Sequence, residues 1–161
     1  MPVDAETLER LRRSGIRIDR EGRFIHEGEE VRHEGLRRAL FRWLDTEPDG
    51  RVVLRLDERR FAYVDVEDTP LVAGAARLEG DGDHERVLLA LSDGAEEPLE
   101  PATLDVDGGG VLRARVRGGR LAARLATGAV AALAERLSEE SPGRPVLTLA
   151  GRRWTIAPRA R

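Results

Sequence analysis

The residues best suited to chemistry are the arginines of RARVRGGR, residues 113 to 120. In extended backbone Arg113, Arg115 and Arg117 fall on one face, with Ala114 and Val116 on the other. Guanidinium groups spaced this way suit phosphates or carboxylates, because each offers two parallel N–H donors. Gly118 and Gly119 then allow positive φ and close approach of an anion. The same residues also fit a solvated hairpin with acidic partners, since paired glycines are what a tight turn needs. Both readings stand at this level. Arg59-Arg60 and Arg152-Arg153 read first as turn residues.

Other chemistries find weaker footing. His26 and His33 are seven residues apart, unlike the i, i+4 helical pair of a zinc hydrolase, and solvated or capping roles suit them better. The chain has no cysteine, so a disulfide, a thiolate nucleophile and a sulfur-bound metal are all excluded. No serine sits in a G-x-S-x-G setting. The GDGD run at 80 to 83 lacks calcium-loop spacing and reads as a turn. Asp107-Gly108-Gly109-Gly110 opens a strand rather than a helix, so no helix N-terminus is offered to a phosphate. The expectation is a protein without catalysis, metal or cofactor.

Charge is segregated along the chain. All 27 basic residues are arginine, and the formal net charge is −3. Residues 1 to 64 are neutral, residues 65 to 107 carry −11, and residues 108 to 161 carry +8. An acidic and a basic segment facing each other within the fold account for this; the sharper alternative leaves basic surface for an anionic ligand. With 4% aromatic residues and a negative net charge, nucleic acid is not the expected partner. No apolar run approaches a membrane span, and MPVDAETLERLRR lacks a signal peptide's apolar centre. The expected setting is soluble and cytoplasmic.

The elements that must position these residues can be read in order. Asp4 caps a short helix to about Arg13, with Gly15 as its stop. IRIDREGRFIHEGEEV reads as strand, turn, strand. A helix follows over about Glu34 to Thr46, with Leu36, Ala39, Leu40, Trp43 and Leu44 on one face, and Pro48-Asp49-Gly50 breaks it. GRVVLRLDERRFAYV, residues 50 to 64, is a hairpin. Shifting by 93 aligns residues 35 to 64 with 128 to 157 at 12 identities in 30. Upstream, Ile18-Asp19 and Val106-Asp107 each precede a glycine-bearing turn, 88 residues apart. The expected fold is therefore α+β, with an internal duplication of a hairpin-helix-hairpin unit. The domains are 1–64 and 65–161. Leu71 to Leu78 and Arg86 to Leu91 add strands to the second.

The stretches HEG with Val31-Arg32, LRRALFRWL, DGRVVL, VEDTPLVA (Val66 to Ala73) and Val116-Arg117-Gly118-Gly119 resemble the bacterial domain of unknown function 1285 (DUF1285) family. The resemblance spans about residues 16 to 157. It departs from the family pattern at Leu91-Ser92-Asp93 and Glu100-Pro101-Ala102. The resemblance implies a duplicated core and a C-terminal domain superficially like pleckstrin-homology folds. It implies no established activity, but a nucleotide-like ligand between the domains and a signalling role. The expected function is thus a non-catalytic ligand-binding module for a phosphate-bearing or nucleotide-like small molecule. Its ligand residues are Arg113, Arg115, Arg117, Gly118 and Gly119, with Asp68 and Thr69 adding polar contacts. The alternative is a protein-interaction or scaffold module with no small-molecule ligand.

Overall fold

The computed structural model describes residues 5–6 and 12–160. The helix expected from Asp4 to Arg13 lies largely outside the described residues. Arg13 itself opens a strand, and Gly15 is a bulge within that strand at φ 71° rather than a helix stop. The chain is α+β and strand-rich, in two compact units, Met1–Pro70 and Leu71–Arg161. This division falls six residues beyond the expected one, because the last strand of the first unit continues through Val66.

The first unit is a six-stranded sheet, ordered β3-β2-β1-β6-β5-β4, with one helix that lies wholly within the described residues. Its strands are β1 (Arg13–Ile18), β2 (Phe24–His26), β3 (Glu29–Glu30), β4 (Leu44–Thr46), β5 (Val52–Arg55) and β6 (Phe61–Val66). The helix α1 (Glu34–Trp43) lies between β3 and β4 and packs on β5. His33 caps it, its Nδ1 accepting the Leu36 N–H at 3.1 Å, so this histidine satisfies a backbone donor that the first turn leaves open. The helix ends earlier than its apolar spacing predicts. Leu44 turns to φ −61°, ψ 132° and pairs with Leu54, so ladder bonds replace the last helical turn. The buried face also differs from the expected one. Leu40 and Phe41 are buried, whereas Leu36 is 45% exposed. Phe41 meets Phe24 edge-to-face at 4.7 Å, an arrangement aromatic quadrupoles favour.

The second unit has a seven-stranded sheet, β16-β10-β11-β12-β7-β8-β9, and a three-stranded one, β13-β14-β15. The long strands β7 (Leu71–Glu79) and β8 (Arg86–Leu91) match the two strands read from sequence, and β9 (Glu96–Pro98) follows. Then come β10 (Asp105–Val106), β11 (Leu112–Val116), β12 (Leu121–Leu125), α2 (Thr127–Leu133), β13 (Leu137–Ser141), β14 (Arg144–Leu149), β15 (Arg152–Thr155) and β16 (Ala157–Pro158). One 3-10 turn, Ala134–Arg136, continues α2. The helix lies against β7 at backbone distance. A Cβ on Gly128 would come within 2.8 Å of the Gly74 carbonyl oxygen, so only glycine fits without a shift.

Registers recur between the units. Leu44↔Leu54, Asp45↔Val53 and Thr46↔Val52 in the first match Leu137↔Leu147, Ser138↔Val146 and Glu139↔Pro145 in the second, 93 residues on. Ile18↔Phe24 matches Val106↔Leu112, 88 residues on. Each unit also closes with a parallel pair, Ile18↔Val66 and Val106↔Pro158. The segregated charges meet inside the second unit. Glu85 binds Arg136, Asp93 binds Arg117 and Asp107 binds Arg113, each at 2.7–2.8 Å.

Candidate ligand-binding site

The turn after β10 is organised by one carboxylate. Asp107 Oδ1 accepts the N–H groups of Gly109 and Val111 at 2.9 and 3.0 Å, and its Oδ2 accepts Arg113 Nη1 at 2.8 Å. The Arg113 hydrogen bond, followed by the backbone donors, holds the Asp107 carboxyl down at about 2 against the opposing effect of burial. Arg113 is itself 6% exposed. A guanidinium so buried, with a charge-assisted bond to its own turn, acts as part of the fold rather than as an open anion anchor.

The other expected ligand residues are dispersed. Arg115 shares the strand face of Arg113 but is exposed, and its backbone N–H donates to Thr103 Oγ1 at 3.0 Å. Arg117 does not extend that face, because β11 ends at Val116 and Arg117 takes φ 51° as the first turn residue. Gly118 and Gly119 continue the turn at φ 67° and 87°. Arg117 Nη2 reaches Asp93 Oδ2 at 2.7 Å, and its N–H donates to Glu97 Oε1 at 2.9 Å. The arginine therefore ties the β11–β12 turn to the β8–β9 turn and to β9. Asp68 is half-buried and Thr69 fully buried, and both belong to the first unit. The geometry thus brings Arg113 to Asp107 and Arg117 to Asp93, and sets Arg113 opposite Arg124 across the β11–β12 pair rather than beside Arg117.

A different site lies in the second unit. A hollow of about 500 Å³ opens between the Asp107 turn, α2 and the β13–β14 hairpin. Val106, Leu112, Val130, Leu137, Pro145 and Ile156 supply its apolar walls. Its polar rim consists of Asp107, Ser138 and Glu139, with Gly108, Gly110 and Gly143 completing the edge. This volume lies within the range of small-molecule sites, which combine apolar walls with a few polar groups. No lining residue is basic, histidine or cysteine. The hollow offers apolar contact together with the Ser138 hydroxyl, the Glu139 carboxylate and an Asp107 carboxylate paired with Arg113.

These wall residues were not singled out from sequence, but a signal was there. Position 24 of the first unit is Phe and its match 112 is Leu, while position 41 is Phe and its match 134 is Ala. In the first unit the two rings interlock. The second unit places smaller side chains at both positions, and a hollow lies beside one of them.

The fold and hollow together define a two-unit α+β protein whose second unit holds a concave, largely apolar site. Solved structures carry the same fold. The crystal structure of a DUF1285 family protein from Silicibacter pomeroyi matches 90% of this chain and 80% of its own, at a TM-score of 0.74 and 19% identity. A DUF1285 family protein from Shewanella baltica matches 70% of this chain and 84% of its own, at a TM-score of 0.56 and 17% identity. These structural neighbours are of the family that VEDTPLVA and the Val116-Arg117-Gly118-Gly119 turn resemble. At such identities what is shared is the fold. No protein-family profile and no curated protein matches the sequence.

Proposed function

We propose that this protein is a non-catalytic binding module whose second unit takes a small molecule in the hollow beside the Asp107 turn. The observation that carries this reading is the hollow itself, apolar on its walls and edged by a rigid, hydrogen-bonded turn. A module of this kind serves signalling when occupancy changes what a partner protein meets. Phosphate-bearing ligands fit less well than the arginines first suggested, because Arg113 and Arg117 already bind Asp107 and Asp93. Among the described residues no helix is long and apolar enough to cross a membrane.

The same proposal includes the origin of the two units as copies of one hairpin-helix-hairpin unit, which the 88- and 93-residue register matches support. The likeness of the second unit to pleckstrin-homology folds belongs to this proposal too, resting on its two sheets and single helix.

The test is a ligand-detected NMR screen of neutral, cationic and anionic small molecules, nucleotides included, on the wild-type chain and on Leu112→Phe. Binding to wild type that is lost when the phenyl ring fills the hollow supports the reading. Hits that persist unchanged in Leu112→Phe place the ligand elsewhere and sink it. At a hundred times its Kd a specific ligand stabilises by about 2.7 kcal/mol, or roughly 5–10 °C in Tm for a chain of this size.

A further inference from the structure

We infer that the hollow selects an apolar molecule carrying a positively charged nitrogen, an organic ammonium. This rests on the binding reading above and names the class of ligand.

The charged groups that line the hollow are acidic, and one of them, Asp107, is already paired with Arg113. Its charged lining residues are Asp107 and Glu139. Asp107 is ionised throughout the neutral range, locked by Arg113 and two backbone donors. Glu139 stands exposed on β13, the edge strand of its sheet. An anion entering here would lose solvation and meet Glu139 and an Asp107 already paired with Arg113, whereas a cation would gain chiefly from Glu139. The apolar walls require the rest of the ligand to be hydrocarbon.

The first unit supplies an independent argument, because it holds that chemistry covalently. At the positions matching Leu112 and Ala134 it carries Phe24 and Phe41, rings 4.7 Å apart. At the position matching Val130 it carries Arg37, whose guanidinium carbon is 5.9 Å from the Phe41 ring centre. The position matching Glu139 is Thr46, so no carboxylate stands there. One acid does go the other way, Asp45 matching Ser138; Asp45 is bound by Arg55 at 3.2 Å, as Asp107 is by Arg113 at 2.8 Å, so the carboxylate that distinguishes the second unit is Glu139. The first unit thus contains its own aromatic bodies and cation. The second lacks both, keeps the Asp turn and adds Glu139. The complementary occupant is an aromatic or aliphatic body ending in an ammonium.

The experiment titrates full-length protein with phenethylammonium, 2-phenylethanol and phenylacetate, which share one hydrocarbon body and differ in charge. Amide shifts of Leu112, Val130, Leu137 and Ile156 are the readout. Phenethylammonium should bind at least about tenfold more tightly than phenylacetate, about 1.4 kcal/mol. Glu139→Gln should weaken the ammonium severalfold and leave the alcohol unchanged, and added salt should shrink the difference between them. Leu112→Phe should abolish the shifts from all three. If the alcohol or carboxylate binds as well as the ammonium, the charge selection is wrong and the binding reading survives. If none of the three moves these amides, or the ammonium moves only amides elsewhere, the occupant named here is wrong. Wild-type hits of other classes in the broader screen would then decide the binding reading separately.

Discussion

Asp19 and Asp107 sit in turns with the same hydrogen bonds and opposite surroundings. Asp19 Oδ1 accepts the N–H groups of Glu21 and Arg23, as Asp107 Oδ1 accepts those of Gly109 and Val111. Asp19 Oδ2 binds Arg23 at 2.7 Å, and Asp107 Oδ2 binds Arg113 at 2.8 Å. After Asp19 the chain enters a core closed by Phe24 on Phe41. After Asp107 it enters the wall of a 500 Å³ hollow. The turn is local chemistry and repeats wherever an Asp precedes the right spacing. Whether the space beside it is filled depends on two side chains, one on the next strand and one on the helix. Matching registers therefore frame a closed core in one unit and a candidate site in the other.

The largest way to break the comparison is at the second hairpin turn. Glu27-Gly28 and Arg117-Gly118 both adopt positive φ, yet Glu27 is exposed while Arg117 binds Asp93, whose side chain is only 6% exposed. Arg117→Ala leaves that carboxylate with its arginine removed and should cost about 3 kcal/mol, measured by urea unfolding. Glu27→Ala should stay within about 0.5 kcal/mol. Equal losses would mean that the β8–β9 anchor carries no weight. Arg117→Ala should also leave affinity for inorganic phosphate unchanged.

The next contrast sets two glycines identical in the sequence alignment against each other. A Cβ on Gly128 meets the Gly74 carbonyl at 2.8 Å, whereas one on Gly35 meets only the His33 ring at 3.2 Å. Gly128→Ala should therefore destabilise by about 1–3 kcal/mol through overpacking. Gly35→Ala should be near neutral, or stabilising by up to about 1 kcal/mol from helix propensity. Thermal melts of the two variants give the order directly.

Exchanging the core residues sharpens the point about filling. Phe24→Leu should cost about 1–2 kcal/mol by opening space against Phe41, while Leu112→Phe should gain about 0.5–2 kcal/mol by filling the hollow. A stabilised Phe24→Leu would show that the ring pair is not what closes the first unit.

The smallest effect is expected with pH. Both Asp19 and Asp107 are held below their ordinary value of 3.8. Burial raises Asp19, but hydrogen bonds and charge from Arg23 outweigh it. A carboxylate depressed on folding contributes stability that is complete above its unfolded value and is lost as pH falls through its folded one. Hydrogen exchange in each unit should therefore hold steady from neutral pH to about 4 and quicken toward 2 once intrinsic exchange rates are corrected for. Asp107→Asn should lessen that acid response in the second unit alone, leaving the share of Glu85 and Glu96, which Arg136 and Arg77 also hold low, and a response unaltered by the substitution would assign it to those groups.

Much of the architecture was legible because it rests on local chemistry. The alternation of Ile16 and Ile18, the Pro48-Asp49-Gly50 break and the strands after Leu71 and Arg86 depend on neighbours within a few residues. The two offsets, 88 and 93, were likewise written in the order of turns and apolar residues. The site was not legible in this way. RARVRGGR has the composition of an anion site, but Asp107 and Asp93 reach its arginines from six and 24 residues away, and only folding sets which acid meets which base. The end of α1 at Trp43 escaped helical spacing because Leu44 gains a ladder partner in Leu54 that propensity does not count. The sequence by itself determined local features such as the strands after Leu71 and Arg86 and the Pro48-Asp49-Gly50 break, since these need only backbone preferences and short-range periodicity. Tertiary structure alone decided which arginines were taken and where space was left, because ion pairing and packing join residues the chain holds far apart.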